Sequence, residues 1–444
     1  MIRGPRLVTA LVVVLLLLLG AAVAGVVRAT TSPRTVTVLA SWSGDEEKAF
    51  RTVLAEFTRR YGVEVDYQGT SAQREVLRSE VQAGAPPDVA ILSSPGELAA
   101  YAREGEVIAL GGTLGGTGLD AYDQPWLPEL GVRGRSDIYW VPVKADLKSI
   151  VWYDPERYAA EPGGRPAGPP ADGDAWCLGM GADATSGWPG TDWVEDLLLQ
   201  QSGTAVYEEW ATGGRWNTPA MRKAWRTWAE TLGGKGSGRA EEALTTDLET
   251  ASKGLFTEPP ACALDHQASF IRGVHGSPEK SVGTRPGDFL PSAEVLPGTA
   301  GRGRAWEVAG DFAAMFRDSP EAKELIRFLA SAEAQEHWAV RAPATMPRPL
   351  SANSRVPQGA YEPDSVTRRL ARNLRDPLPQ CLDASDAMPP TMGDAFRHAA
   401  LRFLDSAQEF AADPGKLDGL LGQLDEVSAQ VKEEGGTWLP AVCG

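Results

Sequence analysis

Tryptophan and serine side chains stand together where two predicted strands end. Trp42 and Ser43 follow the first strand, and Ser93 and Ser94 follow the third. An indole offers a flat apolar face for stacking, and a serine hydroxyl both donates and accepts hydrogen bonds. We therefore expect these four residues to bind a ligand. Core packing of Trp42 and helix capping by Ser43 or Ser94 are the alternatives.

A second tryptophan is flanked by residues that favour turns. Trp188 lies in the string Gly187-Trp188-Pro189-Gly190, which predicts a rigidly exposed indole, and Asp192 follows shortly after. An indole beside a carboxylate suits stacking combined with hydrogen bonding to a ligand. The alternatives are burial of Trp188 in the core and capping of the next helix by Asp192.

Motifs for nucleophilic or metal-assisted catalysis do not occur in the sequence. There is no G-x-S-x-G string, and the four histidines are not spaced as H-x-x-x-H. We expect a binding protein with no catalytic residue, no metal and no cofactor. Glycoside hydrolysis needs only two suitably placed carboxylates, so a secreted or anchored carbohydrate-active hydrolase is the alternative.

Length, composition and charge narrow the class of protein. The chain has 444 residues, and with about 150 residues per domain this length predicts two or three compact units. Hydrophobic residues make up 43% and charged residues 23% of the chain, as is typical of globular proteins. The net charge of −16 repels a nucleic-acid backbone, so no nucleic-acid partner is expected.

The first 28 residues are expected to direct export. Two arginines precede an apolar run over 7–27, which places the N-terminus in the cytoplasm. The small residues at 22–24 favour cleavage as a signal peptide, whereas the length of the run suits an uncleaved membrane anchor. Both alternatives place the rest of the chain, beginning with a linker at 29–35, outside the cytoplasm.

Strand and helix patterns alternate in the first part of the chain. Residues 35–40 alternate as a strand does, a one-faced helix is predicted over 45–60, and the same order continues to residue 104. This order predicts an α/β fold with a mostly parallel sheet and a ligand beyond the carboxyl ends of its strands. A Pro/Gly-rich stretch at 161–174 marks the start of a second unit.

The order of these segments resembles the extracytoplasmic sugar-binding proteins of ABC importers, the family of maltose-binding protein. The resemblance covers residues 36–432 and rests on the strings VTVLASWSG, PPDVA, WCLG, GWPGTDW and DASDAMP. It implies a two-lobe, type II periplasmic-binding-protein-like α/β fold with hinge crossovers and a helical C-terminal region. It also implies that the chain captures a sugar by lobe closure and presents it to the permease subunits of an importer.

The resemblance also divides the chain into lobes. It implies lobe 1 from 36–143 with a return segment at 305–346, a hinge at 144–150 bounded by Val143 and Ile150, and lobe 2 from 151–304 with a helical part at 360–444.

Four cysteines are expected to form disulfides, because an exported chain meets an oxidising environment and no C-x-x-C pair is present. Their number alone leaves three connectivities open. By the resemblance all four lie in lobe 2, where a bridge does not oppose closure. This favours pairing Cys177 with Cys262 and Cys381 with Cys443.

By the same resemblance Asp311 faces the cleft with Trp42 and Ser43, opposite Trp188 and Asp192. The expected partners are a carbohydrate and the permease, and the protein is expected to be a monomer. The first cysteine after the apolar run is Cys177, so a lipid anchor is not expected and anchoring by residues 7–27 gains support. A surface sensor with the same fold is a further alternative.

Overall fold

The structure is a computed structural model, and part of the chain is described by it. The predicted export segment and most of the predicted linker lie outside the described residues, but Arg34 and Thr35 belong to the first strand rather than to the linker. Within the described part, no helix has both the length and the apolar character to cross a membrane. The described ranges are 34–115, 118–158, 175–232, 239–275, 287–299, 305–343 and 346–444.

Two sheets and a small hairpin organise the described residues. The larger sheet has the order β12-β11-β3-β1-β2, with β6 paired to β11, and the smaller sheet has the order β10-β7-β9-β8. The strands are β1 Arg34–Ala40, β2 Val63–Gly69, β3 Val89–Leu92, β4 Leu130–Val132, β5 Arg135–Asp137, β6 Trp140–Leu147, β7 Ile150–Tyr153, β8 Trp176–Cys177, β9 Leu264–His266, β10 Asp288–Pro291, β11 Trp306–Met315 and β12 Gln380–Leu382.

Helices cover both sheets. Short 3-10 turns occur at Leu119–Ala121, Asp183–Thr185, Gly254–Phe256, Ser269–Ile271 and Gln358–Ala360. The α-helices are α1 Gly44–Tyr61, α2 Gln73–Gln82, α3 Pro95–Glu104, α4 Gly111–Leu114, α5 Pro155–Tyr158, α6 Trp188–Ser202, α7 Thr204–Ala211, α8 Pro219–Leu232, α9 Arg239–Thr245, α10 Leu248–Lys253, α11 Arg272–His275, α12 Ser292–Val295, α13 Pro320–Leu329, α14 Ala332–Arg341, α15 Val366–Asn373, α16 Ala384–Ala387, α17 Pro390–Asp405, α18 Ala407–Ala412 and α19 Pro414–Glu433.

The first lobe is built on the six-stranded sheet. Strand β1 runs parallel to β2 and β3, as the strand–helix alternation predicts, whereas β11 runs antiparallel to β3 and β6. Helix α1 buries its apolar face through Phe50 and Phe57, and Phe57 meets Phe328 of α13 at 5.5 Å between ring centroids. The segment that returns at β11 therefore completes the core that β1 to β3 begin.

The second lobe combines the four-stranded sheet with α6, α8, α17 and α19, which pack against one another. Its core is rich in indole rings. Trp225 and Phe403 meet at 4.8 Å, and Trp176 and Trp193 at 4.7 Å between centroids. Most of the 14 tryptophans of the sequence therefore fill cores, and the fully buried ones are Trp140, Trp152, Trp176, Trp193, Trp216, Trp225 and Trp228.

The first crossing between the two sheets, from β6 to β7, is shorter than the predicted hinge. Strand β6 stays paired with β11 as far as Leu147, and β7 enters the other sheet at Ile150. Val143 lies inside β6. The predicted hinge residues 144–147 also belong to this strand, because their backbone groups continue its pairing with β11. Lys148 and Ser149 alone join β6 to β7.

Both predicted disulfides are present. Cys177 of β8 is bonded to Cys262, and Cys381 of β12 is bonded to Cys443 near the C-terminus. Cys381 was expected in lobe 2, because it belongs to the range 360–444. Its strand β12 instead pairs with β11 in the six-stranded sheet of the first lobe. The second disulfide therefore ties the C-terminal tail to the sheet of the first lobe.

Candidate ligand-binding cleft

Three adjoining cavities lie between the two lobes. The central cavity has a volume of about 320 Å³, and the flanking cavities have volumes of about 340 and 460 Å³. Phe270 lines all three, so they form one cleft. The central cavity lies beyond the carboxyl ends of β1 and β3, as predicted. It is lined by Ser41, Trp42, Glu46, Ser93, Lys144, Asp146, Lys148, Thr185, Trp188, Ala268, Phe270, Ala309, Gly310, Asp311, Asp383, Ser385, Asp386 and Arg397.

Trp42 lines this cavity, but most of its ring belongs to the core of the first lobe. The residue is 4% exposed, and its ring meets Phe50 at 4.8 Å and Trp338 at 4.9 Å edge to face. Ser41 lines the cavity in place of Ser43, which is exposed at the start of α1 and makes no capping hydrogen bond. The loop therefore contributes an indole edge and one serine to the cleft.

Asp311 lies in the cavity wall, next to the ammonium group of Lys144. Lys144 Nζ is 3.6 Å from Asp311, 3.4 Å from Glu46 and 4.0 Å from Asp146. Burial raises the pKa of Asp311 to about 6, and Lys144 opposes this shift. Burial lowers the pKa of Lys144, but the surrounding carboxylates outweigh it and raise that pKa overall. This wall thus holds one cation among three acids.

Trp188 lines the same cavity as Asp311, in a different local structure from the one predicted. The residue begins α6 instead of standing in a turn, because Gly187 adopts a left-handed conformation (φ 99°) and Pro189 is tolerated in the first helical turn. The indole is half-buried. Its ring centroid is 5.8 Å from that of Phe270, and Lys148 Nζ is 5.4 Å from the ring.

Asp192 is buried one turn further along α6 and binds within the protein. It accepts a hydrogen bond from Lys148 Nζ at 2.8 Å, and Lys148 also binds Asp383. Burial lowers the pKa of Lys148, but the two carboxylates raise it well above its usual value. Burial would raise the pKa of Asp383, yet Lys148 holds it below its usual value.

A group of carboxylates around Lys148 has the donor types that bind cations. Among the described residues, one carboxylate oxygen each of Asp192, Glu195 and Asp383 lies within 4.8 Å of the others. The Lys148 ammonium group contacts two of the three, so the chain itself supplies the positive charge at this place.

Sequence reasoning missed several cavity residues. Lys144, Asp146 and Lys148 alternate along an apolar strand and its end, and this period-two pattern of charges is the signal that could have found them. Phe270 carries no such signal. Asp386 lies in the DASDAMP string, which supported the resemblance but suggested no role for it.

Ser93 and Ser94 lie at the end of β3, as predicted. Ser93 lines the central cavity, and Ser94 lines the larger flanking cavity. The Ser94 hydroxyl accepts a hydrogen bond from the Glu97 amide at 3.1 Å and donates one to the Asp386 carbonyl at 2.8 Å. Ser94 therefore caps α3 and links it to the turn that carries Asp386.

We expect Ser94→Ala to lower the free energy of unfolding by about 0.5–2 kcal/mol, the usual effect of removing a serine cap. Ser331→Ala is the matched control, because Ser331 caps α14 in the same way, away from the cleft. Urea denaturation of both variants tests this expectation. If Ser94→Ala is as stable as the unmodified protein, the hydroxyl does not act as a cap.

A cleft between two α/β lobes, lined by aromatic rings and by charged groups from both, defines a two-lobe ligand-binding protein. The sequence profile of the bacterial extracellular solute-binding proteins matches residues 41–336, which is more than half of the chain. The chain belongs to this family. Membership places it among the exported solute-binding proteins that serve ABC transporters.

Two relatives and one solved structure illustrate the similarity. The osmoprotective compounds-binding protein GgtB of Synechocystis sp. is 33% identical over 374 residues, covering 81% of this chain and 85% of GgtB. The alpha-glucosides-binding periplasmic protein AglE of Rhizobium meliloti is 33% identical over 335 residues, covering 69% and 70%. The cyclic alpha-maltosyl-1,6-maltose binding protein of Arthrobacter globiformis has a TM-score of 0.64 at 17% identity, covering 91% and 100%. This structural match confirms the predicted two-lobe fold.

Proposed function

We propose that the protein binds a neutral carbohydrate in its cleft, without turnover, and delivers it to the permease of an ABC importer. The observation that carries this proposal is the central cavity, which the half-buried indole of Trp188, standing beside Phe270, lines together with hydrogen-bonding groups of the first lobe. Stacking on an aromatic face combined with polar contacts is the chemistry that a sugar ring requires.

The charges of the cavity favour a neutral ligand. Apart from Asp386, each charged side chain lining the central cavity lies within 4.0 Å of an opposite charge on another side chain, so none of them needs a charged ligand for neutralisation. The pairs are Lys144 with Glu46 and Asp311, Arg272 with Asp146, Lys148 with Asp383, and Arg397 with Asp394.

We propose a small α-glucoside as the ligand, which is supported by the name of AglE, an alpha-glucosides-binding protein; GgtB is named for osmoprotective compounds. Closure requires that the ligand contact both lobes, because only a ligand that prefers the closed state shifts the equilibrium toward it. We place the closing motion at Lys148 and Ser149, where β6 passes into β7.

The protein acts as a monomer outside the cytoplasm, with residues 7–27 as a cleaved signal or a retained anchor.

A thermal-shift panel tests this function. Maltose, trehalose, sucrose and glucose are the neutral probes, and glucuronate and glucosamine are the charged comparisons. We expect at least one α-glucoside to raise the melting temperature, with no sugar released on long incubation. Release of glucose from a disaccharide would support the hydrolase alternative. A larger shift with either charged sugar, or none with any neutral one, would contradict the proposal.

A further inference from the structure

Asp386 lies at the boundary between the central cavity and the larger flanking cavity. Its backbone is fixed from two sides, because its amide donates to Asp383 Oδ1 at 2.9 Å and its carbonyl accepts from Ser94 Oγ at 2.8 Å. The residue is half-buried and lines both cavities. Among the described residues, none donates a hydrogen bond to the Asp386 carboxyl group or forms an ion pair with it. The turn therefore presents a carboxyl group to the cleft that no other side chain engages.

The other acidic residues of the central cavity are already engaged. Glu46 and Asp311 lie next to Lys144, and Asp383 binds Lys148. Asp146 accepts a hydrogen bond from Ser269 Oγ at 2.6 Å. Asp386 is therefore the acidic residue of the central cavity whose carboxyl group is left for a ligand to engage.

The surroundings of Asp386 favour its protonated form. Burial raises its pKa to about 8, Asp383 and Asp192 add to this shift, and Lys148 and Arg397 oppose it. A protonated carboxyl group both donates and accepts a hydrogen bond, as a sugar hydroxyl does. The titratable groups on or next to elements packed against α16 are Lys148, Asp383, Asp192, Glu195, Asp196, Tyr207, Glu208, Glu209, Asp394, Arg397, His398, Arg402, Asp405, Arg74, Glu97, Tyr101, Arg103 and Glu104.

We propose that Asp386 contacts the bound sugar directly as a neutral carboxylic acid, donating one hydrogen bond to a sugar oxygen and accepting another from a sugar hydroxyl. This inference rests on the proposed function. It predicts the sign of a pH effect: as the pH rises above about 8 the carboxyl group loses its proton, so the donated hydrogen bond is lost and the affinity falls.

Isothermal titration with maltose, trehalose and sucrose, between pH 6 and pH 9.5, tests this contact. For a sugar that binds, we expect about a tenfold loss of affinity from pH 7 to pH 9.5, the size of one hydrogen bond between neutral groups. Asp386→Asn keeps both a donor and an acceptor at every pH, so it should bind nearly as well at pH 7 and lose the alkaline decline. Asp386→Ala should bind about tenfold more weakly at pH 7.

Asp405→Asn is the control, because Asp405 is exposed at the end of α17 and its removal should leave the decline unchanged. An Asp386→Asn variant that keeps the alkaline decline, or an Asp386→Ala variant that binds like the unmodified protein, would overturn the contact while leaving the proposed function intact. If the unmodified protein bound none of the three sugars, that result would overturn the α-glucoside function itself, and this inference with it.

Discussion

Replacing Lys148 by methionine is expected to lower the free energy of unfolding by about 3–5 kcal/mol, the cost of leaving one side of a buried ion pair uncompensated. Lys148 has a side-chain exposure of 6%, and its ammonium group binds Asp192 and Asp383, whose side chains are 4% and 2% exposed. Methionine has a similar length but no charge. Two buried carboxylates would lose their counter-ion at the crossing between the lobes, which is why we expect so large an effect.

Urea denaturation measures this loss, with Lys48→Met as the matched control. Lys48 binds Asp45 at 2.9 Å, but its side chain is 72% exposed, and surface pairs of this kind contribute about 0–1 kcal/mol. Adding Asp192→Asn to Lys148→Met should restore part of the stability, because one uncompensated carboxylate then becomes neutral. Equal stability of the Lys148 and Lys48 variants would show that this buried cluster does not stabilise the crossing.

The fold was predictable from the sequence because it depends on local patterns. The apolar spacing of α1 and the alternation in β1 appear within single windows, and the observed bounds Gly44–Tyr61 and Arg34–Ala40 differ from the predicted ones by one residue at each changed end. The antiparallel β11 was not predictable in this way. Its direction depends on where the chain re-enters the first sheet after building the second lobe, and no local pattern records that.

The charged part of the cleft could not be predicted, because its partners are far apart in the chain. Lys148 is 44 residues from Asp192 and 235 residues from Asp383, so no spacing rule connects them. The single residues named from the sequence, with Asp311 named through the family resemblance, lie in different surroundings in the structure. Asp311 and Trp188 line the central cavity, whereas Asp192 is bound to Lys148 and Ser43 is exposed outside the cavity lining.

Replacing Trp188 by alanine is expected to weaken sugar binding by about 1–3 kcal/mol, or about 5- to 150-fold. The indole is half-buried, lines the central cavity and stands 5.8 Å from Phe270 between ring centroids, so a sugar ring can cover its remaining face. The same ring packs partly against the core of the second lobe. Truncation therefore removes some core packing as well as the stacking surface, and the affinity must be judged against a variant with the same packing loss.

Trp438→Ala provides that comparison. Trp438 is also half-buried against the same core and also lies under a lysine, with Lys432 Nζ 5.8 Å from its ring, but it lines a separate cavity with Arg103 and Arg133. Isothermal titration with maltose, trehalose and sucrose, together with urea denaturation, should show similar stability losses in the two variants and an affinity loss in Trp188→Ala alone. If Trp188→Ala kept its affinity and lost only stability, the indole would be a core residue and the stacking site would have to lie elsewhere in the cleft.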